Sequence, residues 1–323
     1  MYTRTVDTHN QPTYYDHGKK VADAKTVDRL NKLAIPPAWR EVKIAKSPRA
    51  KVQASGRDAA GRKQAIYSEA HRARQEKAKF NRVLQFALQL PELRKNLEKD
   101  LKRRKLDKQK VLATIVTLID RAYFRVGNEQ YAKENNTYGI TTMRSKHMDM
   151  TATSVTFDFT GKSGQHHHKV IEDRTLVRIL KQLDELPGYD VFRYVDENGI
   201  AVPLSSKDVN EYIRAHMGED YSAKDFRTWG GTLIAASNLA LVEWNHSLKE
   251  RKKSITAAVK MVAKKLGNTP AVARSSYIDP SIIERYMNGD DIRKVYDTMT
   301  SMRPKKYLKR EEQAVIKLLG TRT

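Results

Sequence analysis

The stretch Lys265-Leu266-Gly267-Asn268-Thr269-Pro270-Ala271-Val272-Ala273-Arg274-Ser275-Ser276-Tyr277-Ile278 joins one helix to the next. Upstream, Ile255, Val259, Val262 and Leu266 recur at helical spacing and predict an amphipathic helix ending near Lys265. Gly267 can close that helix in the left-handed conformation, and Pro270 stops it from resuming at once. Thr269-Pro270 then opens a short second helix that carries Tyr277. The proline break at Asp279-Pro280 puts Tyr277 at a helix end or turn near the surface. By local pattern alone such a tyrosine is a half-buried packing residue with its hydroxyl in water. The rest of the chain changes that reading.

The chain has 323 residues, 61 Lys+Arg against 38 Asp+Glu, and a formal charge of +23. That length predicts two domains, one small and one large. The positive excess is spread along the chain and points to a polyanion, best a nucleic acid that the protein wraps. A membrane is not expected as a partner. No apolar run is long enough to span one, and the longest, Val111 to Ile119, reads as a core helix. The N-terminal residues Met1 to Asp7 lack the apolar centre of a secretory signal. With no cysteine, disulfides, cysteine zinc sites and thiol catalysis are excluded, which fits a reducing compartment.

Val42-Lys43-Ile44, Lys51 to Ala54 and Gln64 to Tyr67 alternate as strands do, with turns at Gly56-Arg57-Asp58 and Gly61-Arg62-Lys63-Gln64. They predict a small β-rich domain, residues 1–78. In it Lys63, Gln64 and Tyr67 can reach phosphates and base edges, or can belong to a solvated basic loop. Residues 79–323 read as a larger, mainly helical domain. Phe80 to Leu90 forms an apolar face that breaks at Pro91, and Val111 to Ile119 is apolar nearly all round, a central helix. Arg125 follows that helix, as a charge partner of its C-terminus or as a site cation on a rigid support. Tyr138 to Met143 reads as a turn and strand entry. A strand from Ser154 to Phe159, a tight turn at Thr160 to Gly164 and a return through Val170-Ile171 make a hairpin with Lys162 at its tip. Arg227 stands before a helix expected from Leu233 to Trp244, either in a salt bridge with Asp225 or another carboxylate, or as a second site cation. The run Lys249 to Lys253 reads as a linker or phosphate contact, and Ser281 to Gly320 as mostly helical with a basic patch at Arg303 to Lys306.

Gly161-Lys162-Ser163 is not the end of a phosphate-binding loop. Thr156 stands where that motif needs glycine, and the context is strand–turn–strand. His166-His167-His168 cannot all face one ion from a strand, so a wet basic strand is the reading over metal. No metal and no cofactor is expected.

Arg125, Lys162, Arg227, Asn268 and Tyr277 make chemical sense as one site. A phosphodiester undergoing displacement spreads negative charge over its non-bridging oxygens, which two arginines can grip. An asparagine amide adds a neutral donor. A phenol among cations loses its proton more easily and can attack, and a lysine can protonate the leaving oxygen.

At these residues the chain resembles the type IB DNA topoisomerases of the compact poxvirus-like and bacterial branch. The matching pieces, in family order, are Phe124-Arg125-Val126-Gly127-Asn128, Tyr138-Gly139-Ile140-Thr141-Thr142, Phe159-Thr160-Gly161-Lys162-Ser163, Asp225-Phe226-Arg227-Thr228-Trp229-Gly230, and Leu266-Gly267-Asn268-Thr269-Pro270 with Arg274-Ser275-Ser276-Tyr277. Gly61-Arg62-Lys63-Gln64 also looks like that branch's DNA-contacting turn. The resemblance implies an α+β protein, a C-shaped clamp on double-stranded DNA. Its small β-rich N-terminal domain precedes a larger, mainly α-helical catalytic domain of the tyrosine recombinase/topoisomerase IB type. It implies relaxation of positive and negative supercoils without ATP or metal, by nicking, strand rotation and resealing through a 3′-phosphotyrosyl link on Tyr277. Lys162 would be the general acid, and Arg125, Arg227 and Asn268 the transition-state donors. The poxvirus and nuclear enzymes carry histidine at the place of Asn268, and asparagine can donate a hydrogen bond but not a proton. A cytoplasmic monomer on the bacterial nucleoid is expected. The alternatives are a tyrosine recombinase, against which the β-rich start argues, and a non-catalytic basic DNA-binding protein, which would not need this ordered set of side chains.

Overall fold

The computed structural model describes residues 1–289, 292–301, 303 and 305–321. The chain divides into two compact units, Met1–Lys79 and Phe80–Thr323.

The first unit is a six-stranded antiparallel sheet in the order β3-β2-β1-β4-β5-β6, formed by β1 (Tyr2–Val6), β2 (Pro12–Asp16), β3 (Lys19–Lys20), β4 (Arg40–Ile44), β5 (Val52–Arg57) and β6 (Lys63–Tyr67). Helix α1 (Ala24–Lys32), capped by Asp23, covers it. Tyr14, Leu30, Ile35, Val42, Ile44 and Ala54 form its core. The first three strands were not legible because their alternation uses Thr, Arg, Tyr and Lys in place of aliphatic residues. Arg4 holds β1 to the following loop by donating to the carbonyls of Ile35, Pro36 and Trp39 at 2.7, 3.0 and 3.0 Å. Gly56 and Arg57, expected in a turn, extend β5.

The second unit is built around α3 (Lys108–Ala122), in which every residue from Lys110 to Ile119 is buried. It packs on α6 (Ser206–Met217), on α7 (Ala223–Ala240) and on a three-stranded sheet of β7 (Met148–Met150), β8 (Ser154–Gly161) and β9 (Gln165–Glu172). Two short strands, β10 (Arg193–Val195) and β11 (Ala201–Pro203), pair with each other. Helix α2 (Glu69–Leu101) runs unbroken through Pro91, against the expected break there. Buried Phe86, Leu90, Leu93 and Leu97 keep one face of it docked on both sides of the proline, and that packing outweighs the lost backbone bond. The short α4 (Glu129–Asn135) and α5 (Arg174–Asp184) precede and follow the sheet. Ile140–Thr142, expected as strand entry, is a 3-10 turn. Helix α7 starts well before Leu233, and Lys249 to Lys253 lie in the first turns of α8 (Leu248–Leu266), so they are no linker. Then come α9 (Pro270–Tyr277), α10 (Pro280–Asn288), α11 (Ile292–Ser301) and α12 (Arg310–Gly320). The basic patch at Arg303 to Lys306 includes Pro304, which lies outside the described residues.

Arg94 of α2 ties the C-terminal helix to the core. It donates to both oxygens of Asp120 at 2.8 and 3.0 Å, to both of Glu312 at 2.7 Å, and to the carbonyl of Tyr307. Burial pushes the Glu312 carboxyl up, but its bonds and charge contact with Arg94 win and hold it below the usual range. The resulting stabilisation is present above the ordinary glutamate pKa and is lost as pH falls through the depressed one. Arg94→Leu should therefore cost about 3–5 kcal/mol, because it strands two buried carboxylates. Denaturant unfolding at neutral pH checks this, and the deficit should shrink toward acid pH.

Candidate active site

Two helix ends meet at the site. Helix α3 stops where Tyr123 turns left-handed (φ 57°), and α8 stops at Gly267 (φ 61°), as its sequence predicts. A helix leaves its last carbonyls without partners and carries a partial negative charge there. At α8 the Ala263 carbonyl is taken by the backbone N–H of Asn268. The next free carbonyls are taken by cationic side chains. Lys169 donates to Lys265 O at 3.2 Å, Arg227 to Leu266 O at 2.9 Å and Arg125 to Gly267 O at 2.9 Å. At α3, Lys169 also donates to Ala122 O and Arg227 to Tyr123 O, both at 2.7 Å. The site thus holds three cations on carbonyl dipoles, and no ion pair among the described residues involves them.

Arg227, expected ahead of its helix, lies inside α7 and is 3% exposed. It does not pair with Asp225. That carboxylate accepts from the backbone N–H and hydroxyl of Ser222, both at 2.9 Å, and so caps α7. Arg125 also donates to Oδ1 of Asn268. This fixes the amide's orientation and leaves its Nδ2 buried without a partner. Tyr277 ends α9, half-buried, with the Arg227 guanidinium 5.0 Å from its ring centroid. Thr269 caps α9 and Pro270 fills its first turn, as expected. The structure therefore brings Arg125, Arg227, Asn268 and Tyr277 together. Lys162 is exposed at the tip of the β8–β9 hairpin, and none of the described hydrogen bonds or ion pairs joins it to the other four.

Three further residues shape the site without a legible motif. His167 is buried and stacks on Phe159 at 5.0 Å, and its Nε2 lies 3.5 Å from an Arg125 nitrogen. His166 and His168 point to the other face, toward Asp158, at 3.4 and 3.1 Å. The strand thus splits the three histidines, as alternation requires. Lys169 lies on the inner face with His167. Gly231 of α7 touches the backbone of Tyr277, and a Cβ there would meet the Tyr277 carbonyl oxygen at 2.4 Å. In the sequence, a basic residue two positions from His167 was the one signal for Lys169, and Gly230-Gly231 the one signal for close helix approach.

The electrostatics follow from burial among like charges. Burial, then Arg227, brings Arg125 down to about 10. Burial, then Lys169 and the arginines, brings His167 down to about 3, so its imidazole is neutral at working pH. Burial, then Arg227, Arg125 and Lys265, brings Lys169 down to about 7. For Tyr277 burial acts upward, but the charge of Arg227 and a hydrogen bond with it, then Arg125 and Lys224, outweigh it and lower the phenol below its ordinary value. A partly acidified phenol beside two unneutralised guanidiniums is suited to attack on a phosphodiester.

The profile of the family "Eukaryotic DNA topoisomerase I, catalytic core" matches residues 68–305, and that of "Bacterial DNA topoisomerase IB, N-terminal domain" matches residues 13–58. The chain belongs to the type IB DNA topoisomerases. It is 35% identical to DNA topoisomerase 1B of Acanthamoeba polyphaga mimivirus, over 86% of this chain and 84% of that protein. It is 26% identical to DNA topoisomerase 1B of Vaccinia virus (strain Copenhagen), over 71% of this chain and 70% of that protein. DNA topoisomerase 1 of Candida albicans is 25% identical over 57% of this chain and 23% of that protein. This type IB enzyme thus acts on DNA, and no described helix is long and apolar enough to cross a membrane.

In the first unit the three expected DNA contacts do not share a face. Lys63 and Tyr67 point outward from β6, while Gln64 alternates with them and donates to Asp58 at 2.9 Å.

Gly231→Ala should push the end of α9 off α7 and displace the Tyr277 hydroxyl. Stability should fall by about 1–3 kcal/mol, and DNA relaxation should slow about a hundredfold, the scale for a misplacement of roughly 1 Å. Relaxation rate measured beside the denaturation midpoint checks both.

Proposed function

We propose that Tyr277 is the nucleophile that cleaves one DNA strand, with Arg125, Arg227 and Asn268 as donors to the phosphate and Lys162 as general acid. The observation that carries this is the convergence on one phenol of two arginines, Arg227 buried and Arg125 half-buried, whose charges are met by carbonyls and not by carboxylates, so that their positive charge remains unneutralised. The Tyr277 phenol, acidified by the arginines, gives up its proton to solvent; its oxygen attacks phosphorus, and the bond from phosphorus to the 5′ oxygen breaks. That oxygen takes a proton from Lys162. The arginines and the unpartnered Nδ2 of Asn268 receive the charge that grows on the non-bridging oxygens, which is where fixed donors lower a barrier most. The 3′-phosphotyrosyl ester keeps the bond energy, so resealing is the reverse attack and needs no ATP. Between the two steps the free strand rotates and either sign of supercoil relaxes. The chemistry so written needs no metal or cofactor.

Under this reading residues 1–78 contact DNA, with outward Lys63 and Tyr67 as contacts and Gln64 as one only where it leaves Asp58, and residues 79–323 carry the chemistry. The net charge supports double-stranded DNA as the partner. We place the enzyme as a monomer in the cytoplasm, on the nucleoid. In support, each proposed catalytic side chain comes from the same unit of one chain.

The decisive experiment is relaxation of positively and negatively supercoiled plasmid with EDTA and no ATP. Wild type should relax both, and Tyr277→Phe should relax neither while binding DNA within about threefold, since one hydroxyl is lost. A Tyr277→Phe enzyme that still relaxes plasmid would overturn the assignment. Wild type that binds without relaxing would favour a recombinase that needs its own site. Asn268→Ala should slow single-turnover cleavage roughly ten- to a thousandfold, the scale for one oxyanion donor. An unchanged rate would make Asn268 structural.

A further inference from the structure

Lys169 has no part in the reaction as written, yet it occupies the centre of the site's support. Its ammonium nitrogen lies 2.7 Å from Ala122 O, 3.2 Å from Lys265 O and 5.5 Å from the centroid of the Phe124 ring. These carbonyls directly precede the Tyr123 and Leu266 carbonyls held by Arg227, and Gly267 O, held by Arg125, comes next. Lys169, Arg227 and Arg125 therefore grip three successive carbonyls at the end of α8, and the first two also grip two successive carbonyls at the end of α3. A cavity of about 10 Å³ adjoins them, lined among others by Arg125, His167, Lys169 and Arg227. That is room for about one water molecule.

We propose that Lys169 is a positioning residue of DNA cleavage, a third, half-buried cation that sets Arg125, Arg227 and the Asn268 turn for the phosphate and gains its proton as the phosphate arrives. The inference rests on the assignment of the site to Tyr277 and the arginines. The geometry tolerates both charge states. A neutral amine has two N–H groups for its two carbonyls, so deprotonation removes a charge without releasing either helix end. An ammonium has a third N–H, free for the cavity.

The groups that face Lys169 from each neighbouring element are Arg227 of α7, Arg125 after α3, Lys265 of α8 and His167 of β9, with no carboxylate among them. Burial and these charges bring Lys169 down to about 7, while His167 stays neutral. In the free protein near neutral pH the site thus sheds part of its mutual repulsion by losing a proton from Lys169. A phosphate docked on Arg125 and Arg227 offsets that repulsion and draws the proton back. Binding and proton uptake are then linked, and the full positive field exists only when there is an anion to receive it.

The test uses the full chain with Tyr277→Phe, so that binding is read without cleavage, and a duplex DNA oligonucleotide. Calorimetric titration at pH 7.5 in buffers of different ionisation enthalpy counts protons. The Tyr277→Phe protein should take up roughly half a proton more than the Tyr277→Phe/Lys169→Met protein. In single-turnover cleavage, wild type should show an inflection near 7 in its second-order rate constant, which reports the free enzyme, displaced upward at saturating DNA. Lys169→Met should lack this inflection and cleave roughly ten- to a hundredfold slower, with DNA affinity within about threefold. Lys169→Arg, which keeps the donors and a fixed charge, should recover cleavage to within about tenfold without the inflection or the extra proton. It carries the test if Lys169→Met fails to fold. Wild-type proton uptake in either variant, or a wild-type rate and pH profile in Lys169→Met, overturns the proposal. The site assignment fails separately, if Tyr277→Phe alone still relaxes plasmid.

Discussion

Everything at the site depends on cations held by carbonyls instead of carboxylates. Lys169, Arg227 and Arg125 take five main-chain oxygens, those of Ala122, Tyr123, Lys265, Leu266 and Gly267. The difference is one of net charge. A carboxylate partner would offset the burial of each arginine and also cancel its field, and an incoming phosphate would have to displace it. Carbonyls at a helix C-terminus offset burial only in part, through dipoles that cannot leave. What remains is a positive potential, fixed at the two arginines and titratable at Lys169, and its cost is visible in Arg125 at about 10 and Lys169 at about 7. In a site poor in water such a potential acts on an anion with little reorganisation, which is the condition under which electrostatic stabilisation is strongest.

That arrangement demands two helix ends in one place, and the core supplies them. Helix α3 is buried from Lys110 to Ile119, so it has little room to shift. Helix α7 packs on α3, α8 and α9, so Arg227 extends from a scaffold that already touches every element it must bridge. Gly231 lets the end of α9 settle on α7, and Thr232 Oγ1 accepts from the Asp279 N–H at 3.0 Å just beyond Tyr277. The placement of Tyr277, the proposed nucleophile, is therefore a packing result, held at its backbone, with its hydroxyl left to the local field.

Local signals made the ends of helices legible. Gly267 and Thr269-Pro270 each act within one turn of chain, and each does in the structure what its chemistry predicts. The buried run from Val111 to Ile119 and the β8–β9 hairpin were legible for the same reason. Long-range competition was not. Pro91 reads as a break until the helix face around it is seen docked. Asp225 reads as a partner for Arg227 until the cap of α7 claims it. The strands β1 to β3 are polar in sequence because only one face of each meets a small core. The candidate side chains were legible only through their order along the chain and its resemblance to a family. Lys169 had no such order to betray it, since its partners are main-chain atoms that look alike in every sequence.

The hairpin shows why that omission matters. Strands β8 and β9 pair from Ser154 with Glu172 through to Gly161 with Gln165, so the position of each residue on one strand fixes the rest. Its inner face carries His167 and Lys169, and its tip carries Lys162. His167 fills the space that side chains at Gly161 and Gly267 would need. The ring thus wedges the base of the Lys162 turn against the turn that presents Asn268. Because burial among cations keeps that imidazole neutral, the wedge adds no repulsion to a site already crowded with positive charge. One strand then couples the support of the arginines, the approach of the asparagine turn and the placement of the lysine tip, through a register that cannot change for one residue without changing for all.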